Sequence, residues 1–163
     1  MPSNAPHIIL IDGNSGVGKT TLSQVMGELL GATVVHLDDV YPGWGGLADG
    51  RDAVIDGVFR KIAEGRAGRF RRWDWEHSAP GIDVIVAPSD VLIVEGCGIS
   101  TPESRALANV VIWVDCDETD RLERLSARDG TAFDEHRDLW EAQVQRHIAD
   151  NDPIETASVK VNS

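Results

Sequence analysis

Five short apolar runs punctuate the chain, at His7–Ile11, Ala32–Leu37, Val91–Val94, Val110–Val114 and Ala157–Val161, each bounded by turn residues. Most are rich in Val and Ile, which predicts buried strands of a parallel sheet. Between them apolar residues recur at helical spacing. Over Thr20–Leu30, the set Leu22, Val25, Met26, Leu29 and Leu30 makes one face, and Gly31 can end that helix. Arg51–Glu64 repeats Val54, Ile55, Val58, Phe59 and Ile62. Two later helices are expected at Thr119–Arg128, with Leu122 and Leu125 inward, and at Glu135–Ala149, with Leu139, Trp140, Val144 and Ile148 inward. Strands alternating with helices predict an α/β layered fold around a parallel sheet. Tyr41–Gly50 and Gly65–Pro88 escape both periods. They carry Gly, Pro, Asp and most of the tryptophans, and read as functional loops.

The 163 residues suit one domain, 1–163, large enough to bury a core without staples. Lys and Arg number 15 against 27 Asp and Glu, a net charge of −12. That balance argues against a nucleic-acid or anionic-membrane surface, since both need a field of Lys and Arg. A small basic pocket for one small anion is compatible with it. Cys97 and Cys116 have neither disulfide nor metal spacing, so free thiols in a reducing compartment are expected. Met1–Pro6 lacks the basic flank and apolar core of a signal peptide. No apolar run is long enough to span a bilayer. A cytoplasmic protein, monomer or homodimer, is the expectation.

Gly13-Asn14-Ser15-Gly16-Val17-Gly18-Lys19-Thr20 fits the phosphate-loop pattern G-x-x-x-x-G-K-[ST] without a mismatch. An apolar strand precedes it and an amphipathic helix follows. The glycines let successive backbone N–H groups turn toward one anion, and the helix N-terminus adds its positive dipole end. Lys19 can reach the β- and γ-phosphates, and the Thr20 hydroxyl can ligate Mg²⁺. Lysine occurs only at 19, 61 and 160, which makes its presence in this loop informative. Thr21 belongs to the same nucleotide-binding turn. The motif points to ATP or GTP and is silent about the reaction.

Two acidic sites close predicted strands, where open α/β sheets place their ligands. Asp38-Asp39 follows Val34–Leu37, and Glu95-Gly96 follows Val91–Val94. One carboxylate must accept or orient the proton of an attacking hydroxyl, and another can hold Mg²⁺. Asp38 is assigned the first role and Glu95 the second, with Asp38 also within reach of the metal. Arg121, Arg124 and Arg128 recur at helical spacing, so two guanidinium groups can converge on phosphate oxygens from a mobile lid. A surface helix paired with Asp117, Asp120 and Glu123 is the competing reading. Arg69-Phe70-Arg71-Arg72-Trp73-Asp74-Trp75-Glu76-His77 mixes bases and aromatics most densely. It suits a pocket wall, with Trp73 or Trp75 stacking on a planar ring, Asp74 accepting from hydroxyls and His77 donating. His77 by itself reads as a partner to a carboxylate. Trp113 and Trp140 fall on core positions, and Cys97 is taken as a small packed residue.

Taken together, these residues resemble the small P-loop kinases of the uridine kinase and nicotinamide riboside kinase group, within the nucleoside monophosphate kinase-like fold. The resemblance runs from His7 to about His147. It rests on Gly13–Thr20, His36-Leu37-Asp38-Asp39-Val40-Tyr41, Trp73-Asp74-Trp75, Val94-Glu95-Gly96 and Arg121-Leu122-Glu123-Arg124 through Arg128-Asp129. It implies a three-layer fold, with five parallel strands in the order 2-3-1-4-5, helices on both faces and a lid over about 121–137. It also implies Asp38 as base, Thr20 and Glu95 at Mg²⁺, and Arg121, Arg124 and Arg128 on the phosphates. Tyr41, Trp73, Asp74, His77 and Gln143 would line the acceptor site, with Asp39 and Arg72 beside them. Trp73 stands where that group has Tyr. Ile62–Gly65 followed by Arg69-Phe70-Arg71 resembles, more loosely, the shikimate kinase-like enzymes.

The sequence therefore predicts an ATP- and Mg²⁺-dependent phosphotransferase acting on a hydroxyl of a small molecule, nucleoside-like in the first reading. A polyol or small-acid kinase is the alternative. A nucleotide-binding regulatory module with little turnover is the rival of another class.

Overall fold

The structure, a computed structural model, describes residues 5–163; the sequence reading of Met1–Asn4 lies outside the described residues. Strands β1 (His7–Asp12), β2 (Thr33–His36), β5 (Val91–Glu95), β6 (Val110–Asp115) and β7 (Val159–Asn162) form one sheet in the spatial order β2-β5-β1-β6-β7. All four pairings are parallel. Counting only the strands of this sheet, the order is 2-3-1-4-5, as the resemblance implied. Alternation along each strand feeds two cores. Ile8, Leu10, Val35, Leu92, Val94 and Val111 face one side. Ile9, Ile11, Ile93, Ile112 and Val114 face the other. A sheet apolar on both faces must be covered on both, which gives three layers.

Helix α1 (Lys19–Leu30) covers the second face. The apolar stripe expected to face inward does so only in part. Ser23 and Gly27 are buried, while Val25, Leu29 and Leu30 are half or more exposed. Small residues bring the helix axis close to the sheet, and the larger ones are left on its flank. The opposite face is covered by α2 (Leu47–Val54), α3 (Arg60–Ala63), α4 (Pro102–Leu107) and the long α6 (Thr131–Asn151). Between α2 and α3 the helix widens into a π turn at Ile55–Phe59, with Ile55, Val58 and Phe59 buried. A Cβ on Gly57 would lie 2.3 Å from the Arg69 carbonyl oxygen, so a neighbouring strand crosses the helix there nearly backbone to backbone.

That strand is the main departure from the sequence reading. Gly65–Pro88 is not irregular: β3 (Gly68–Asp74) and β4 (Ala79–Val86) make an antiparallel hairpin outside the main sheet. Phe70 and Val86 point into the core, while Arg69, Arg71 and Ile85 point outward. The alternation is real but is masked by the basic outer face and by a register shift between Arg71 and Trp73. Further corrections concern α6 and α5. Helix α6 begins at Thr131 rather than Glu135, and Leu139 is half exposed instead of inward. Helix α5 (Glu118–Asp129) meets α6 at Gly130, whose φ of 56° turns the chain within the segment expected to be the lid. Among the described residues no helix is long and apolar enough to cross a membrane.

Phe59 is fully buried where the π turn, the hairpin and the sheet meet. Phe59→Ala is expected to cost about 3–5 kcal/mol through lost burial and an unfilled cavity, read as a lower midpoint in urea unfolding.

Candidate active site

Because the sheet is parallel, the C-terminal ends of β1, β5 and β2 open on one edge, and the polar groups gather there. The loop from Gly13 to Gly18 leaves β1 and enters α1 at Lys19. A Cβ at Gly13 would meet the Val114 carbonyl at 2.3 Å, and its φ of 154° also favours glycine, so only glycine lets the loop lie against β6. No side chain caps α1, whose first N–H groups are left open for an anion. Asn14, Ser15, Gly16, Val17 and Gly18 complete the cradle. The Lys19 ammonium reaches back to donate to the Asn14 carbonyl at 2.7 Å and lies 3.6 Å from Cys97 Sγ. Burial works against its charge, but Cys97, Glu95, Asp38 and Asp12 outweigh that and raise its pKa.

The cleft over this loop has a volume of about 400 Å³. Lys19, Thr20, Thr21, Asp38, Glu95, Cys97, Arg124 and Arg128 stand in its wall. Glu95 is buried at the end of β5 and accepts from Thr20 Oγ1 at 3.0 Å. His36 Nδ1 lies 2.6 Å from the same oxygen, and that hydrogen bond raises the His36 pKa against the effect of burial. Thr20, Glu95 and, across the cleft, Asp38 offer only oxygen atoms, a donor set that suits Mg²⁺. Cys97 is the small packed residue expected from the sequence, buried in the core cluster, and it also borders the cleft. It touches Ser15 Oγ at 3.4 Å, with a thiol pKa pushed up by burial.

A second cleft, about 460 Å³, adjoins the first and is walled by Tyr41, Trp44, Trp75 and Trp140, with Asp39, Asp129 and Ala132 on its rim. Ser15, Asp38 and Arg128 border both clefts. Asp38 follows β2 in a short 3₁₀ turn, Leu37–Asp39, and its carboxylate lies 4.0 Å from Arg128 Nη1. Enclosure by the cleft walls and the charge of Glu95 raise its pKa, with Lys19 and Arg128 opposing.

Several residues expected at the site have other partners. Arg121 is buried, with Nε and Nη2 on the two Glu118 oxygens and Nη1 shared between Glu141 and the Ser15 carbonyl. It braces the phosphate loop from beneath, with four of its five N–H groups taken by these partners. Arg124 lines the phosphate cleft and donates to Ser163 Oγ. Arg128 grips Asp129 through two bonds while facing Asp38. Trp73 lies beside Gly43 and is not among the described residues lining the acceptor cleft; Trp75 is, its indole N–H bound to the Asp38 carbonyl at 2.8 Å. The hairpin end puts Asp74 and His77 together, His77 donating its backbone N–H to Asp74 and setting Nδ1 2.9 Å from its other oxygen. The two thus pair with each other across the turn, the carboxylate partnership read for His77 from the sequence. Gln143 also departs from its expected role, since its amide accepts from Leu47 N and donates to the Trp44 carbonyl. Arg72 reaches Asp39 from outside the cleft at 3.2 Å. Tyr41 lines the floor, but its hydroxyl is used by the Cys97 carbonyl.

Four residues that hold the site, Asp12, His147, Asn151 and Trp44, were missed. Asp12, at the end of β1, is buried and accepts four hydrogen bonds, from the backbone N–H groups of Gly13, Gly98 and Ser100 and from His147 Nε2. Asn151 bonds His147 Nδ1. Trp44 stacks on His136 at 5.1 Å and lies edge-on to Trp140, whose indole donates to Ser15 Oγ at 2.7 Å. An available signal was the inward spacing of Trp140, Val144 and His147 on α6, a polar residue on an apolar stripe.

Fold and site together are those of a P-loop protein, a three-layer α/β sandwich with a phosphate loop after its central strand. The chain belongs to the AAA domain family, whose model matches residues 9–142. The structure is similar to one described as a possible uridine kinase from Bacillus stearothermophilus, with a TM-score of 0.70 over 99% of this chain and 91% of that one, at 20% identity. It is also similar to a gluconokinase from Sinorhizobium meliloti 1021, with a TM-score of 0.57, 15% identity, and 98% and 84% covered. Likeness at these identities establishes the shared fold. No curated protein sequence matches the chain.

Removing the His147 side chain takes one of four donors from a buried carboxylate and leaves a void. His147→Ala is expected to lower stability by about 3 kcal/mol, measured by urea unfolding, and His147→Gln, which keeps a donor, should recover part of it.

Proposed function

We propose that the protein is a phosphotransferase that moves the γ-phosphoryl group of ATP, or GTP, to a hydroxyl of a small molecule in the second cleft. The observation that carries this reading is the shared border. Asp38, the one carboxylate lining both clefts, stands between the phosphate loop and the aromatic cleft, with Arg128 opposite. A nucleotide in the first cleft would lay its phosphates on the N–H groups of Gly13–Gly18 and on Lys19. An acceptor in the second would bring its hydroxyl to Asp38. Planar rings have indole walls to rest on, which favours a nucleoside-like acceptor.

The transferring group spreads charge over its outer oxygens, so catalysis depends on positioning and on fixed positive groups. Lys19, Arg124 and Arg128 supply these, and Arg121 acts one step back by holding Ser15. Thr20 and Glu95, with Asp38 facing them, would hold Mg²⁺, which when bound shields phosphate charge. Asp38 accepts the hydroxyl proton as the oxygen bonds to phosphorus and the bond to the departing nucleoside diphosphate breaks. Its raised pKa makes it a better proton acceptor than an ordinary surface carboxylate. Trp44, Trp75 and Trp140 keep water from the reacting atoms.

Lys19→Ala is expected to lose nucleotide affinity or turnover, measured by calorimetric titration with ATP and by ADP release across nucleosides, sugars and sugar acids. Asp38→Asn should lower kcat by about 100-fold or more while ATP affinity stays near that of the wild type. Undiminished turnover in Asp38→Asn would remove the base.

A further inference from the structure

The two clefts differ in the charge they offer. Over the phosphate loop, Lys19, Arg124 and Arg128 face the space. In the acceptor cleft three carboxylates, Asp38, Asp39 and Asp129, border the cavity, and Arg128 is the one cation among its described lining residues. That guanidinium already gives Nε and Nη2 to the two oxygens of Asp129, at 2.9 and 2.6 Å. Arg72 meets Asp39 at 3.2 Å from outside the cavity, and Lys19, the other cation whose charge reaches Asp38, stands in the phosphate cleft. An acceptor bearing a carboxylate or phosphate would meet three carboxylates and, among the described lining residues, the single guanidinium of Arg128, already paired to Asp129 through Nε and Nη2.

The apolar walls have the complementary character. The Trp44 and Trp75 ring centroids are 5.2 Å apart with planes inclined at 59°, which makes an open corner of two indoles, not a closed stack. Each ring is fixed from behind, Trp75 by its bond to the Asp38 carbonyl and Trp44 by stacking on His136. Indole faces carry negative potential, and a corner of them beside carboxylates is the arrangement that receives a cation.

We propose that the acceptor is a small hydroxyl compound carrying a positive charge, held by the indole corner of Trp44 and Trp75 and by the carboxylates of Asp39 and Asp129. The inference deepens the kinase reading and rests on it. Once a nucleotide is bound, Arg128 turns to the phosphoryl oxygens and leaves Asp129 without its counter-ion, which makes the acceptor side more negative at the moment it must hold its ligand. The same charge pattern turns away sugar acids and phosphorylated acceptors, and so disfavours the small-acid kinase.

The test uses the full chain with Mg²⁺ and a non-hydrolysable ATP analogue, titrated calorimetrically with two matched series. Choline is compared with 3,3-dimethylbutan-1-ol, its uncharged isostere, and glucosamine with glucose and gluconate. At least one of the two cations should bind about tenfold or more tightly than its neutral counterpart, with gluconate weakest. A choline preference assigns the charge to the indole faces, and a glucosamine preference assigns it to ammonium donation onto the carboxylates. Asp39→Asn and Trp75→Leu, both at partly exposed positions, should each shrink the gap severalfold, with thermal melts reporting that they remain folded. Equal binding within both series, a preference for gluconate, or no binding of either cation to nucleotide-loaded protein overturns the proposal and leaves the kinase reading intact. Failure of the ATP analogue to bind overturns the kinase reading itself.

Discussion

A carboxylate taken out of water must have its lone pairs filled, and in this protein that requirement falls on Asp12. It ends the central strand of the sheet, is 1% exposed, and has four donors from three separate parts of the chain. The first glycine of the phosphate loop supplies one, the segment after β5 supplies two, and α6 supplies the last through His147. None of these segments can drift without leaving a buried charge short of a partner, and such a deficit costs several times an ordinary hydrogen bond. The edge of the sheet is thus tied into one unit before any ligand arrives.

The same logic extends outward through α6. Trp140 donates to Ser15 Oγ, and Arg121, held by Glu118 and Glu141, donates to the Ser15 carbonyl, so both polar groups of one loop residue are gripped by the two helices that flank Gly130. Gln143 ties the same helix to the Trp44 loop by two bonds. The helices expected to form a freely moving lid are therefore anchored at their inner faces. What is left to move is the junction at Gly130, with Arg128 and Asp129 just before it. A guanidinium on such a junction can exchange an intramolecular carboxylate for a phosphate without disturbing the bonds on Ser15.

This distribution explains what was legible in the sequence. The phosphate loop was readable because its chemistry is local: eight consecutive residues between a strand and a helix, with glycines whose positions have a steric reason. Asp38 and Glu95 were readable because strand ends are readable and parallel strands end together. The hairpin was not, because its outer face is arginine and its register shifts at Arg71, so the period of two is broken where it would be counted. Gln143, Asp74 and His77 have protein partners that the sequence showed only for His77, read there as the partner of a carboxylate. The partners of Gln143 come from a segment almost a hundred residues away, set by tertiary geometry, whereas Asp74 and His77 bond each other within the hairpin turn. Asp12 and His147 lie 135 positions apart, and no local pattern links them.

The opposite signs of the two clefts also follow from where the partners lie. With a net charge of −12 the chain must concentrate positive potential to hold a polyphosphate, and it does so with backbone N–H groups, one buried lysine and two arginines within a single cleft. The remaining arginines near the site are neutralised in place, Arg72 by Asp39, and Arg69 and Arg71 by Asp83 on the outer face of the hairpin. Positive charge is thereby concentrated on the phosphate side of Asp38, with Arg128 alone among the described lining residues bordering both clefts as a cation. The Asp38 carboxylate at this boundary has Lys19 and Arg128 favouring its conjugate base, while enclosure by the cleft walls, Glu95 on the phosphate side and Asp129 on the acceptor side hold its pKa up. The two influences offset each other on one carboxylate, and only a group that borders both clefts can be subject to both.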